Sequence, residues 1–286
     1  MGLRTGAVVP ALLLAVAIAG CDGHGPAAPT VTIHPPTPAG TSSMRGIVYD
    51  TADRPLAGAV VEVVEGPHSG ERTTTNSQGE FGFTGAFDDT SRFRATKAGH
   101  HPSTEVLRPH CEPCNPHRWV YLFLEPETPP VSIVGDYDLT FVASSTCATL
   151  PSEVRTRTYR ASIAAAPYRP KTAFELKVEG ATFLGAYDTI AVHIAGDYVA
   201  FWLGDQHGTP SVAEQLAPNT YVAYGGHAAV IVGTPAVNTI TTTFDGFVDY
   251  CERKTAMGER YSCTAAESVA GVRCASPGHQ LVLTRR

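Results

Sequence analysis

The chain has 286 residues, 21 Lys and Arg against 27 Asp and Glu, and a formal net charge of −6. Its basic residues are scattered, which excludes the electrostatic footprint of a nucleic-acid-binding protein and a polybasic membrane patch. The length suffices for two modest domains with separate cores. Gly and Pro are abundant, at 27 and 22 residues, Thr and Val recur in short alternating runs, and no segment sustains a 3.6-residue apolar period. These features predict an all-β protein with few, short helices.

At the N-terminus, Arg4 precedes an apolar run from Ala7 to Ala19 that Pro10 interrupts. About 13 apolar residues are too few for a membrane span, which needs roughly 20. Ile18-Ala19-Gly20-Cys21 resembles the lipobox of bacterial lipoproteins. The resemblance implies a signal peptide over residues 1–20 and Cys21 as a mature N-terminus carrying diacylglycerol; an ordinary secretory signal is the alternative. Two or three acyl chains anchor a protein stably where one does not, so the expected location is the bacterial cell envelope, on the extracytoplasmic side of a membrane. Asp22 resembles the inner-membrane retention signal of enteric bacteria, but sorting rules differ between phyla and the choice of membrane stays open.

Residues 21–43 are rich in Pro, Ala, Gly and Thr with few large apolar side chains, the composition of a disordered tether. At about 3.1 Å per residue, some 20 such residues reach roughly 60 Å.

From Met44 the pattern changes. Met44 to Asp50 predicts a strand, Asp53-Arg54-Pro55 a turn, and Leu56 to Val63 a second strand. Arg72 to Thr75, the turn Asn76 to Gly79, and Glu80 to Phe83 follow, then Phe93 to His100. Gly79 supplies the positive φ of a tight turn, and Phe81 and Phe83 share one face. The order G-x-V-x-D, P-L-A-G-A-x-V, T-T-x-S-x-G-x-F is similar to the carboxypeptidase regulatory-like domain, over residues 44–125. The resemblance implies a seven-stranded-type, transthyretin-like β-sandwich. It implies no peptidase: in that family the chemistry belongs to a separate zinc domain.

Residues 126–131, with Pro126, Pro129 and Pro130, form a stiff linker. Over residues 132–286, alternating runs begin at Tyr137, Tyr159, Phe174, Ile190, Val199, Tyr221, Ile240 and His279. About eight strands without helical crossovers predict an antiparallel meander closed into a β-barrel, with a two-sheet sandwich as runner-up. Gly135-Asp136-Tyr137 on the first strand and Arg285 after the last resemble the G-x-W and arginine of lipocalin-like barrels, with Tyr in place of Trp. That resemblance implies a ligand cavity lined by Tyr137, Phe141, Tyr159, Phe174 and Phe201.

Six cysteines besides Cys21 are expected to form disulfides in an oxidising compartment. Cys111 and Cys114 are assigned a loop-closing bridge; with His117, and with His100, His101 and His110 nearby, they alternatively form a metal site. In a closed even-stranded barrel the last strand lies beside the first, which pairs Cys147 with Cys274 and leaves Cys251 for Cys263. Arg155 and Arg157 lie in phase with Tyr159 as candidate anion ligands at a barrel mouth, against the simpler reading of surface residues. Asp205, His207, Tyr221, Tyr224 and His227 are candidate rim residues. No G-x-S-x-G, H-E-x-x-H, P-loop or dinucleotide fingerprint occurs. The expected function is therefore non-catalytic binding or display at a membrane surface without a cofactor. Its expected partner is a glycan or an envelope protein. A lipocalin-like carrier, a structural interaction module and an unrecognised hydrolase are the alternatives.

Overall fold

A computed structural model describes residues 43–107, 118–168, 171–181, 189–204, 210–233, 238–258 and 261–286. Cys21, the tether, His110, Cys111, Cys114, His117, Asp205 and His207 lie outside the described residues. The protein is all-β, and one 3-10 turn at Ser152–Val154 is the only helical element among the described residues.

Seven strands build the first part: β1 (Ser43–Asp50), β2 (Val60–Glu65), β3 (Arg72–Thr74), β4 (Glu80–Thr84), β5 (Arg92–Thr96), β6 (Ser103–Val106) and β7 (Arg118–Leu124). They form a three-stranded sheet in the order β4-β1-β7 and a four-stranded sheet in the order β3-β2-β5-β6. Strands β1 and β7 run parallel and the other pairs antiparallel. Met44, Val48, Val61, Val63, Phe81, Phe83, Phe93, Leu122 and Leu124 pack in one core. Gly79 has φ 73°, and a Cβ there would lie 2.6 Å from the Val48 carbonyl oxygen, so only glycine closes this turn.

The second part comprises β8 (Gly135–Val142), β9 (Thr156–Ala165), β10 (Ala173–Val178), β11 (Ile190–Ala195), β12 (Tyr198–Trp202), β13 (Val212–Ala217), β14 (Thr220–Ile231), β15 (Thr239–Arg253) and β16 (Ser268–Arg285). Strand β12 pairs with residues 227–231 of β14 and β13 with residues 220–224, so the two occupy one position in the sheet. With β16 paired to β8, eight antiparallel positions close a barrel. Closure pairs the first strand with the last, removing the two long edges that an open sheet of this size would leave exposed. At the seam Arg285 Nη2 donates to the Tyr137 hydroxyl at 3.0 Å, and Tyr137 donates to the Ile133 carbonyl at 2.7 Å.

Disulfides join Cys147 to Cys274 and Cys251 to Cys263. Cys147 lies in the loop after β8, whereas Cys251 and Cys274 lie within strands β15 and β16. The N-terminal half of β16, beyond the end of β8, pairs with β15 alone. Its side chains there are mostly small or polar, so the apolar alternation that marks a half-buried strand is weak.

The turn after β1 docks on the barrel. Thr51 Oγ1 donates to the Ile194 carbonyl at 2.6 Å, the Asp53 carboxylate meets His193 Nδ1, and the Arg54 guanidinium lies 4.0 Å from the centroid of the Tyr198 ring. Ala52 packs against Ala195 and Ala200. The fully buried Asp50 carboxylate shapes this turn, accepting from the Ala52 and Arg54 backbone N–H groups and from Arg54 Nε.

Candidate binding surfaces

Strand β7 reads Trp119-Val120-Tyr121-Leu122-Phe123-Leu124, and its two-residue period sends the aliphatic set into the sandwich core and the aromatic set outward. The parallel register sets Arg45 beside Trp119, Ile47 beside Tyr121 and Tyr49 beside Phe123. Trp119 and Tyr121 stack with centroids 6.4 Å apart and planes 18° apart; Tyr49 and Phe123 stack at 5.8 Å and 25°. Tyr121 remains 49 % exposed. Burial, then the Tyr121 and Asp53 charges, raise the Tyr49 pKa.

A cleft of about 320 Å³ adjoins this face, lined by Arg45, Thr73, Asn76, Glu80, Gly82 and Trp119 among others. Asn76 is held rigidly: its Oδ1 accepts the Gln78 and Glu80 N–H groups at 2.9 Å and its Nδ2 donates to Glu80 at 3.1 Å. Arg54, Arg72, Arg92 and Arg94 are all paired with carboxylates. Among the described residues, Arg45 has no such partner.

A second cleft, of about 430 Å³, opens at one end of the barrel between Glu153, Arg157, Glu214, Leu216, Ala217, Thr220 and Tyr250. The Arg157 guanidinium grips Glu214 through two hydrogen bonds, and the Tyr159 hydroxyl donates to the same carboxylate at 2.6 Å. Burial, then Glu214, push the Tyr159 pKa up; the hydrogen bond to Glu252, then burial, push Tyr250 up to about 12. Tyr224 lies beneath, its ring 4.2 Å from Phe141 and its hydroxyl buried. The anion-binding reading of Arg155 and Arg157 needs correction: Glu214 neutralises Arg157, and Arg155 donates to the Leu150 and Ala148 carbonyls, bracing the loop.

Tyr137, Phe141, Tyr159, Phe174 and Phe201 are all buried in a single packed cluster inside the barrel. Phe141 lies 6.1 Å from both Tyr159 and Phe244, so these rings pack against one another in the interior. Tyr221, Tyr224 and His227 do not converge. Tyr221 packs outside the barrel with Tyr261 and accepts the Met257 N–H at 3.1 Å, Tyr224 points in, and His227 packs on Trp202 at 4.5 Å. His100 Nδ1 lies 3.2 Å from the Ala98 carbonyl. Among the described residues, no three His, Cys, Asp or Glu side chains are grouped to hold a metal ion, and no helix is long and apolar enough to cross a membrane.

Sequence reasoning missed the face carried by β7. Its signal was the alternation of aromatic with aliphatic residues, since a strand facing only core and water alternates apolar with polar.

Residues 43–110 match the family model of the carboxypeptidase regulatory-like domain, which is a regulatory, Ig-like domain and not a catalytic one. No curated protein matches the chain.

Proposed function

We propose that this chain is a lipid-anchored, non-catalytic binding protein of the bacterial cell envelope whose sandwich presents its outer sheet face to glycans. The supporting observation is the row of outward aromatic rings along β7 and β1 beside a polar cleft. Contiguous exposed apolar surface bordered by polar groups marks an interaction site. The negative face of an aromatic ring complements the C–H groups on one side of a pyranose, while its hydroxyls need polar partners such as Asn76, Glu80, Thr73 and Thr74. Strands hold Thr73, Thr74 and Glu80 in place, and the hydrogen bonds of the turn hold Asn76. The barrel, with its interior aromatic residues packed together, serves as a support rather than a carrier.

The lipobox and the Pro-rich tether support attachment through Cys21, with the sandwich held clear of the lipid. Two measurements test the proposal. Affinity electrophoresis of the protein through gels containing polysaccharides is expected to show retardation that Trp119→Ala and Tyr121→Ala abolish; retardation unaffected by both variants refutes the site. Metabolic labelling with a fatty acid is expected to mark the wild-type chain and not Cys21→Ser; equal labelling refutes the anchor.

A further inference from the structure

Resting on the glycan-binding role proposed above, we infer that the cleft beside Trp119 selects acidic sugars, with Arg45 receiving the sugar carboxylate. Arg45 lies opposite Gly82 on one side and Trp119 on the other, at neighbouring positions of three hydrogen-bonded strands. Adjacent strands lie about 4.8 Å apart, comparable to the width of one pyranose ring. A ring stacked on Trp119 therefore places a substituent on its edge over Arg45.

Three observations point to an anionic substituent. Arg45 is exposed and, among the described residues, without a carboxylate partner, whereas Arg54, Arg72, Arg92 and Arg94 in the same sandwich each have one. The acidic residue lining the cleft, Glu80, is already engaged by the Asn76 amide. Position 82 carries no side chain, which leaves the space over Arg45 open. That opening is not a backbone requirement: a Cβ at Gly82 would meet only the Met44 carbonyl oxygen, at an ordinary 3.5 Å. A guanidinium suits a carboxylate because its planar fork donates two parallel hydrogen bonds, while Asn76 and Glu80 supply an amide donor and a carboxylate acceptor for ring hydroxyls.

Polygalacturonate and its fully methyl-esterified form test the inference, because they share one backbone and differ in the carboxylate alone. The full-length, detergent-solubilised protein is assayed against both by affinity electrophoresis at low and at moderate salt. Wild type is expected to bind the free acid about tenfold or more tightly than the ester, the scale of one charge-assisted contact, with the advantage shrinking as salt screens it. Arg45→Gln is expected to bring binding of the acid down to that of the ester. Gly82→Val is expected to weaken binding of both polymers at an unchanged melting temperature, by filling the cleft. Equal binding of acid and ester, or an advantage that survives Arg45→Gln, overturns the acidic-sugar assignment and leaves the glycan site standing. Binding that persists in Trp119→Ala, or binding of neither polymer, overturns the site as well.

Discussion

Removing the Cys147–Cys274 disulfide should destabilise the protein more than removing Cys251–Cys263, and the size of the difference follows from the chain. The first closes a separation of 127 residues, from the loop after β8 to β16; the second closes 12. In the chain-entropy treatment the cost of opening a loop grows with the logarithm of its length, giving about 5 kcal/mol for the long loop and about 3 kcal/mol for the short one at 25 °C. At about 2–4 °C per kcal/mol for a folded unit of this size, these correspond to losses of about 10–20 °C and 6–12 °C. Packing losses are similar, since Cys147 and Cys251 are both buried, so the comparison isolates loop closure. Urea denaturation and calorimetry of Cys147→Ala/Cys274→Ala and Cys251→Ala/Cys263→Ala measure both costs. An equal or larger loss in the short-loop variant refutes the loop-length account.

Burial lowers the pKa of His279, which also receives the Ser144 N–H at Nδ1. The unfolded chain, with an imidazole pKa of about 6.5, then binds a proton that the folded chain resists, so stability holds at neutral pH and declines as pH falls below that value. Urea midpoints at pH 7.5 and 5.5 should differ less in His279→Asn than in wild type; an unchanged difference refutes the assignment, and His227, also lowered by burial, retains part of the slope. Phe141→Ala should cost about 3–5 kcal/mol by urea denaturation, because the lost ring touches Tyr159, Tyr224 and Phe244 inside a closed barrel. A cost below 1 kcal/mol would mean that the interior is loosely filled. Glu214→Gln replaces the carboxylate shared by Arg157 and Tyr159 with a neutral amide. The Tyr159 pKa should fall, read as an earlier tyrosinate transition in an ultraviolet pH titration, and an unmoved transition contradicts the hydrogen bond.

Strands that cover a core on one side and meet water on the other were legible residue by residue. Phe81 and Phe83, Tyr137 to Phe141 and Tyr159 to Ile163 all alternate as a half-buried strand must. The tie between Tyr137 and Arg285 was legible only through the resemblance of Gly135-x-Tyr137 and Arg285 to lipocalin-like barrels. Strand β7 escaped because both of its faces are apolar, so counting apolar against polar residues cannot see its period. The first half of β16 escaped for the opposite reason. Residues Val269, Gly271, Arg273 and Ala275 project away from any core, and neither face carries a continuous apolar set. The contacts of Thr51, Asp53 and Arg54 with Ile194, His193 and Tyr198 cross at least 140 positions of sequence. No local pattern encodes such a meeting.

Strand β1 connects the candidate site to the barrel. Its outward residues Arg45, Ile47 and Tyr49 lie beside the aromatic residues of β7, and the next residue, Asp50, is buried and organises the turn whose Thr51, Ala52, Asp53 and Arg54 hold the β11–β12 hairpin. The proposed binding face on β1 and the docking turn are therefore consecutive along the chain. A ligand stacking on exposed rings gains most when the rings are already fixed, because little side-chain entropy is then lost on binding. The closed barrel and its two disulfides supply that rigidity without contributing a ring to the face. This arrangement accounts for a barrel whose Tyr137, Phe141, Tyr159, Phe174 and Phe201 pack inward beside a sandwich that turns the aromatic residues of β1 and β7 outward.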